Sequence, residues 1–285
     1  EINDFIYDLA ITANRPDGMS MIGIAREVSA LLETKLFFPK VNDNFDIKLT
    51  KFNSLCSEAL NDNCIYSIAS VDNISGKRYS PKWLKDRIEK SDIKSINLIV
   101  DITNYVLLEQ GQPLHAFDRD KLEQLFSREV LPEDFGVRKA SNDETLLGID
   151  GKVYELNNKV TVITCLNKPV AIAGVIGGME TSVSESTTSI YLEAAVFNPS
   201  SIRKSSKEVG LRTESSSRYE KGISERNTIH SSNRAISILS SFFENLNSTI
   251  YVNKSLNSNK RIIKLRRNRI NKLLGSIIER SNINN

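Results

Sequence analysis

Ile96, Ile99, Val100, Thr103 and Leu107 recur at helical spacing, which predicts a helix from about residue 96 to 110 with one strongly apolar face. Gly111 follows where a left-handed residue caps a helix C-terminus, and Pro113 prevents the helix from resuming. The turn beyond holds His115, one of two histidines in the chain, close to the end of a rigid element. A titratable side chain held in that way can serve a pocket. Thr103 and Asn104 lie on the polar side of the same helix. A core helix requires neither them nor the run Gly111-Gln-Pro-Leu-His-Ala-Phe-Asp118, so the whole stretch reads as a site.

Upstream, a turn-rich run at 12–18 leads into Met21, Ile24, Ala25, Val28, Leu31 and Leu32, an amphipathic helix capped by Ser20 or Asp17. Residues 38–63 are polar and irregular, and read as a connection between domains. A strand is expected at 65–71, then a helix bearing Trp83, Leu84 and Ile88, with Ser80 as cap and Pro81 at its first position. Residues 119–136 read as an acidic and aromatic loop. Short strands are expected at 136–140, 145–149, 152–156, 160–164, 170–176 and 189–194, with Asp150-Gly151 as a two-residue hairpin turn. Asn198-Pro199 caps a helix ending at Gly210, residues 211–223 form a dense polar loop, and Ser224 begins a long helix through Phe243. After a linker at 255–259, a strand enters a basic helix that ends at Gly275. Strands and helices come in runs without strict alternation, so the class is α+β, in several modules. The expected boundaries are 1–64, 65–254 and 260–285.

Composition narrows the function classes only a little. A length of 285 residues suggests about two domains. The formal charge of +3, from 38 basic and 35 acidic side chains, neither requires nor excludes nucleic acid, because a local stripe matters more than the total. Arg261, Lys264, Arg266, Arg267, Arg269 and Lys272 form one such stripe, which is either a solvated helix face or an RNA-facing one. Cys56, Cys64 and Cys165 are too sparse for a disulfide framework and point to a reducing compartment. With only His115 and His230 beside them, no structural metal site is expected. The longest apolar-plus-glycine run, 170–179, is far below the roughly 20 residues that span a bilayer. A soluble cytoplasmic protein is the default. The chain opens without Met in what reads as mid-domain sequence, and is expected to be an internal piece of a longer polypeptide.

Three further segments carry candidate chemistry. Ala173-Gly-Val-Ile-Gly-Gly178 closes a strand with glycines that admit either a ligand or another backbone, and it matches no phosphate-loop pattern. Glu193 lies among apolar residues in Ile190-Tyr-Leu-Glu-Ala-Ala195, so it either pairs with an arginine or awaits a ligand's donor. The run 211–223 is rich in hydroxyls and charge and suits a binding rim. No nucleophile stands beside a base, so a hydrolytic site here would use water, assisted by His115, Glu193 or the substrate.

In order along the chain, 12–25, 80–84, 100–118, 171–178, 192–199, 210–222 and 265–275 resemble the β subunit of bacterial phenylalanyl-tRNA synthetase. The resemblance implies the end of an N-terminal α+β module, a central editing domain and the start of a winged-helix-like module. It implies a partnership with tRNA(Phe) and with the synthetase α subunit in an α2β2 assembly. It also implies ATP and Mg for the complete synthetase, no cofactor within this chain, and no membrane. Carried over by motif, the editing residues fall on Thr103, Asn104, His115, Gly177, Glu193 and Thr213, with Ser215 at the pocket wall. Gln112 and Pro113 of the same run join them as substrate-binding residues. In that reading His115 and Glu193 are the catalytic pair, with Glu193 accepting the tyrosyl hydroxyl and Gly177 leaving room for the ring. Two departures stand out. The family's Thr-Asp-Ala-Ser is Thr213-Glu-Ser-Ser216 here, and the 119–136 segment is longer than usual. The competing reading is a tRNA-binding and scaffolding module with an inactive pocket. Any tRNA contact is expected along 261–272 and on the helix carrying Arg203, Lys204 and Lys207.

Overall fold

The computed structural model describes residues 5–41, 46–56, 60, 65–74, 79–254 and 264–279. The chain divides into a unit of residues 1–255 and a unit of 256–285. In chain order the helices are α1 (Met21–Leu31), α2 (Lys82–Glu89), α3 (Leu98–Gln110), α4 (Arg119–Phe126), α5 (Pro199–Glu208), α6 (Glu214–Lys221), α7 (Glu225–Leu239) and, in the second unit, α8 (Arg267–Leu274). The strands are β1 (Asp46–Leu49), β2 (Ser54–Leu55), β3 (Tyr66–Asp72), β4 (Leu114–Asp118), β5 (Phe135–Lys139), β6 (Thr145–Leu147), β7 (Val153–Glu155), β8 (Thr161–Cys165), β9 (Lys168–Ile172), β10 (Ile176–Gly177), β11 (Ile190–Ala195) and β12 (Asn247–Val252).

The first unit is built on two five-stranded sheets, ordered β1-β12-β3-β11-β4 and β10-β9-β8-β5-β2, with β6 and β7 as a separate hairpin. The class is α+β. Side chains alternate across a strand, and β11 shows what that does here. Ile190 and Leu192 pack with Leu84, Ile102, Val106 and Ile236 of the helices, while Tyr191 and Ala195 join Phe117, Phe135 and Val162 toward the second sheet. Every residue of β11 is therefore buried, including Glu193, whose side chain lies on the sheet-to-sheet side. Strand β4 ends the first sheet and β10 ends the second, so both are edges.

Several sequence expectations need correction. Residues 38–63 do not merely connect domains, because β1 pairs with β12 and β2 with β5, both in parallel. Their short, polar edge strands carry too little apolar periodicity to be seen in sequence. Ser80 does not cap α2, whose N-cap is Pro81 without a side-chain bond; its hydroxyl bonds the buried Asp101 instead. Residues 119–136 are not a loop. The Asp118 carboxylate accepts the Lys121 N–H at 3.1 Å and starts α4, which buries Leu122. The hairpin turn is longer than two residues: Gly151 N–H bonds the Gly148 carbonyl at 2.9 Å with Gly151 left-handed at φ 79°. The polar run 211–223 contains α6, capped by Thr213, whose hydroxyl accepts the Ser216 N–H at 3.2 Å. Three serines in a row hide that helix from propensity arguments. His115 lies within β4, not in a turn.

Cys56 and Cys165 are unpaired, and Cys64 lies outside the described residues. The 255–259 linker lies outside them too, as does 261–263 of the expected basic-segment strand, while 264–266 form no strand. Among the described residues no helix is long and apolar enough to cross a membrane.

Candidate active site

The two sheet edges meet at a cavity of about 630 Å³. α3 forms one wall through Val100, Thr103, Asn104 and Leu107, and α6 contributes Ser215 and Tyr219 together with its N-cap, Thr213. Ile149 and Asp150, at the β6–β7 tip, close another side. α3 is held at both ends. The Asn97 side chain accepts the Val100 N–H at 3.0 Å, and Gly111 terminates the helix in the left-handed region at φ 76°. The start of α6 is pinned to the β9–β10 connection by a 3.0 Å bond from the Thr213 hydroxyl to the Val175 carbonyl. Arg218 fixes the same helix from behind, donating 3.2 Å to the Met19 carbonyl.

His115 and Glu193 are directly opposed across β4 and β11. Opposed residues share a face and have Cβ atoms about 5 Å apart, so both side chains enter the cavity together. The imidazole packs edge-on against Phe117, with centroids 4.5 Å apart. Gly177 lies against it from β10. A Cβ built there would sit 2.2 Å from His115 Cε1, so the glycine makes room for the imidazole itself. The Glu193 side chain makes no hydrogen bond or ion pair among the described residues. Its Oε1 and His115 Nε2 are both buried without a partner. Of the two sequence alternatives, pairing with an arginine is therefore absent.

The expected site residues otherwise divide by role. Thr103, Asn104, Pro113, His115, Gly177, Glu193, Thr213 and Ser215 all line the one cavity. Thr103 and Thr213 spend their hydroxyl protons on backbone carbonyls, those of Val100 and Val175. Gln112 is not on the wall. It is fully buried, and its Nε2 donates to the Pro113 and Ala195 carbonyls at 3.1 and 3.0 Å. It ties the α3–β4 junction to β11. Sequence reasoning missed Tyr219, Ile149 and Asp150 on the wall. The only aromatic residue in a polar run was the available signal for Tyr219.

Burial dominates the electrostatics of both opposed groups. It pushes the Glu193 carboxyl up to about 8 and the His115 imidazole down to about 4, because each charged form loses its hydration. Both are therefore mainly neutral at pH 7. Between pH 4.5 and 8 folded Glu193 keeps a proton that the unfolded chain releases. Its contribution to stability is present below pH 4.5 and lost as pH rises through 8. His115 has the opposite sign: its contribution is present above pH 6.5 and lost as pH falls through 4. Glu193→Gln removes only the first dependence. The variant is expected to gain on wild type by about 1.4 kcal/mol per pH unit across that window, as checked by thermal melts of both at several pH values. A stability difference that stays constant with pH would refute the burial of an ionisable carboxyl. Among the described residues no cluster of His, Cys, Asp and Glu is able to hold a metal ion.

A sequence profile of the B3/4 domain matches residues 63–244. The chain is 64% identical over 279 residues to the phenylalanine–tRNA ligase beta subunit of Prochlorococcus marinus strain MIT 9312, covering 98% of this chain and 34% of that protein. It is 43% identical over 276 residues to the phenylalanine–tRNA ligase beta subunit of Synechococcus sp. strain CC9605, covering 97% of this chain and 33% of that one. The chain thus spans about a third of the length of the curated relatives it matches. A crystal structure of an N-terminal fragment of the phenylalanyl-tRNA synthetase beta-subunit from Pyrococcus horikoshii aligns over 95% of this chain and 72% of that one, at 12% identity and a TM-score of 0.41.

Proposed function

The chain belongs to the B3/4-domain family, and from that premise we propose that its cavity hydrolyses the tyrosyl ester of tRNA(Phe), as the editing site of a phenylalanine–tRNA ligase β subunit. The observation that carries this reading is Glu193, a carboxyl 3% exposed and without a partner among the described residues, on the wall of a cavity that also holds His115. A synthetic site shaped for phenylalanine rejects an added hydroxyl by only about 10²-fold, too little for protein synthesis. A second site that bonds the hydroxyl reverses the preference. Phenylalanine would leave buried polar groups unpaired there, a penalty that reaches about 10⁴-fold in favourable cases.

In this reading Glu193 Oε1 accepts the hydrogen bond of the tyrosyl hydroxyl. Water attacks the ester carbonyl, and the bond to the ribose oxygen breaks. One water proton ends on that ribose hydroxyl and the amino acid leaves as tyrosine. His115 stays neutral at pH 7, with its basicity pushed down to about 4. That is far from the operating pH preferred by a general base, so its free Nε2 serves to hold water or ester in place. Ser215 narrows the wall next to the Thr213 cap. ATP and Mg enter only through the complete ligase, with its α subunit in an α2β2 assembly in the cytoplasm, and no cavity residue is assigned to either.

The test is deacylation of preformed Tyr-tRNA(Phe) and Phe-tRNA(Phe) by the full-length protein with its α partner. Rapid loss of the tyrosyl ester with the phenylalanyl ester spared supports the reading. Binding without hydrolysis of either ester would favour the scaffolding alternative. Contacts to the tRNA backbone through Arg203, Lys204 and Lys207 of α5 predict affinity that falls steeply between low and high salt, because each neutralised phosphate releases counterions. Filter binding in a salt series checks this, and a flat series would exclude a phosphate-based contact.

A further inference from the structure

A second set of polar groups lies behind Glu193, with Tyr66 and Gln112 off the cavity wall. Tyr66 on β3 is paired with Ala195, while Ile68 is paired with Glu193. Tyr66 therefore shares the face of Glu193 as a diagonal cross-strand neighbour, a separation that aromatic side chains bridge. Its ring packs edge-on against Phe52 at 5.0 Å and is fully buried, yet its hydroxyl has no hydrogen-bond partner among the described residues. The Gln112 amide converges on the same place. Its Nε2 is committed to the Pro113 and Ala195 carbonyls, which fixes the flip and leaves Oε1 as a buried acceptor without a donor. The Tyr219 hydroxyl stands 3.4 Å from that Nε2. Burial first, and then the charge of Glu193, push the Tyr66 and Tyr219 phenols up, so both lie within electrostatic reach of the carboxyl.

Three buried polar atoms without partners among the described residues thus belong to residues that meet at Ala195: Tyr66 is its register partner, Glu193 precedes it by two on the same face, and Gln112 donates to its carbonyl. A core needs no such groups. Leaving them unpaired is costly, and phenylalanine fills the space of a tyrosine ring without that cost.

We infer that Tyr66 is a specificity-determining positioning residue, which with Gln112 holds the Glu193 carboxyl from behind so that one oxygen faces the hydroxyl of the bound aminoacyl group. The inference rests on the editing reading above. The donors and acceptors match. The neutral carboxyl has one proton to give, and Gln112 Oε1 is an acceptor in need of one. None of these bonds is closed in the structure, where all three atoms lack a partner among the described residues. The Tyr66 hydroxyl donates to the carboxyl once the carboxyl ionises or the substrate hydroxyl docks, and the remaining carboxyl lone pair accepts from the substrate. Phenylalanine breaks this chain at its cavity end. The other titratable groups facing Glu193 are His115 from β4 and Tyr219 from α6, with Asp150 and Glu214 further along the cavity wall. α3 supplies Thr103 and Asn104, which do not titrate.

Tyr66→Phe in the full-length protein isolates the hydroxyl and keeps the contact with Phe52. Its melting temperature is expected to equal or exceed that of wild type. The protonation of Glu193 is read by infrared pH-difference spectra, with its band assigned by disappearance in Glu193→Gln. Losing a donor disfavours the ionised carboxyl, so the midpoint is expected to move upward in Tyr66→Phe. The ratio of Tyr-tRNA to Phe-tRNA hydrolysis should fall about tenfold, as for one lost hydrogen bond. An unmoved midpoint overturns the inference whether or not the protein hydrolyses either ester. A moved midpoint with unchanged selectivity in an active protein also overturns it. A moved midpoint in a protein that hydrolyses neither ester keeps the Tyr66–Glu193 coupling and overturns the editing reading instead.

Discussion

Glu193→Ala is expected to lower hydrolysis of preformed Tyr-tRNA(Phe) by roughly ten- to 150-fold, with phenylalanine charging by the assembled ligase retained. A hydrogen bond involving a charged group is worth about 1.5–3 kcal/mol, and that range converts to those factors when the bond strengthens in the transition state. With the carboxyl mainly neutral at pH 7, the lower part of the range is the expectation there. Glu193→Gln supplies a useful intermediate. It keeps a neutral acceptor oxygen of the same shape, so its loss at pH 7 should be smaller than that of alanine. The gap between Gln and wild type should widen as pH rises through about 8, where the native carboxyl ionises. Folding does not confound the comparison, because among the described residues the side chain makes no hydrogen bond or ion pair whose removal would strand another group. Single-turnover deacylation across pH 6–9, with thermal melting beside it, provides the measurement. A folded Glu193→Ala protein that clears Tyr-tRNA at the wild-type rate removes the carboxyl from the mechanism.

The sequence made the ends of elements legible wherever the chain carries a capping residue next to a periodic apolar run. Asn198-Pro199 before α5 and Gly111 after α3 are two cases, and both caps are present in the structure. The burial of Glu193 was equally legible, since Ile190-Tyr-Leu-Glu-Ala-Ala195 is apolar on both faces of the strand apart from this one carboxyl. Less visible was anything decided by tertiary pairing. β1 and β2 lack a hydrophobic pattern and exist as strands because β12 and β5 offer parallel edges. α6 is built from Glu, Ser, Arg and Lys around one buried aromatic, Tyr219. What orders it is the Thr213 cap together with bonds from Arg218 and Lys221 to the Met19 and Ile11 carbonyls, about 200 residues away in sequence. The cavity itself is a meeting of two sheet edges, and no local signal announces that. Gln112 shows the limit of motif reasoning. It lies in the most site-like run of the chain, yet a buried amide bonded to two carbonyls belongs to the support of the site and not to its surface.

Gly177→Ala tests that support from the opposite side. An added methyl at this position would lie 2.2 Å from Cε1 and 2.7 Å from Nε2 of His115. Both distances are far inside van der Waals contact, so one partner must move. The glycine backbone is held by the β9–β10 pairing, in which Gly177 opposes Ala171, and by the Ile149 N–H, which bonds the Gly177 carbonyl at 3.0 Å. Among the described residues no hydrogen bond holds the imidazole Nε2, and its edge contact with Phe117 is a packing contact, so the imidazole is the part that yields. Overpacking of this kind costs about 1–3 kcal/mol of stability, a loss most folds of this size survive. Displacing a positioned group by about 1 Å costs on the order of 10²-fold in rate. The expected variant is thus folded, modestly less stable, and defective in Tyr-tRNA hydrolysis to a degree comparable with His115→Ala. The double variant Gly177→Ala/His115→Ala separates this account from a general loss of structure. With the imidazole gone the three atoms nearest the methyl are removed, so the double variant should recover stability relative to Gly177→Ala and be no less active than His115→Ala. A double variant whose two defects simply add would show that Gly177 acts through something other than the imidazole it touches.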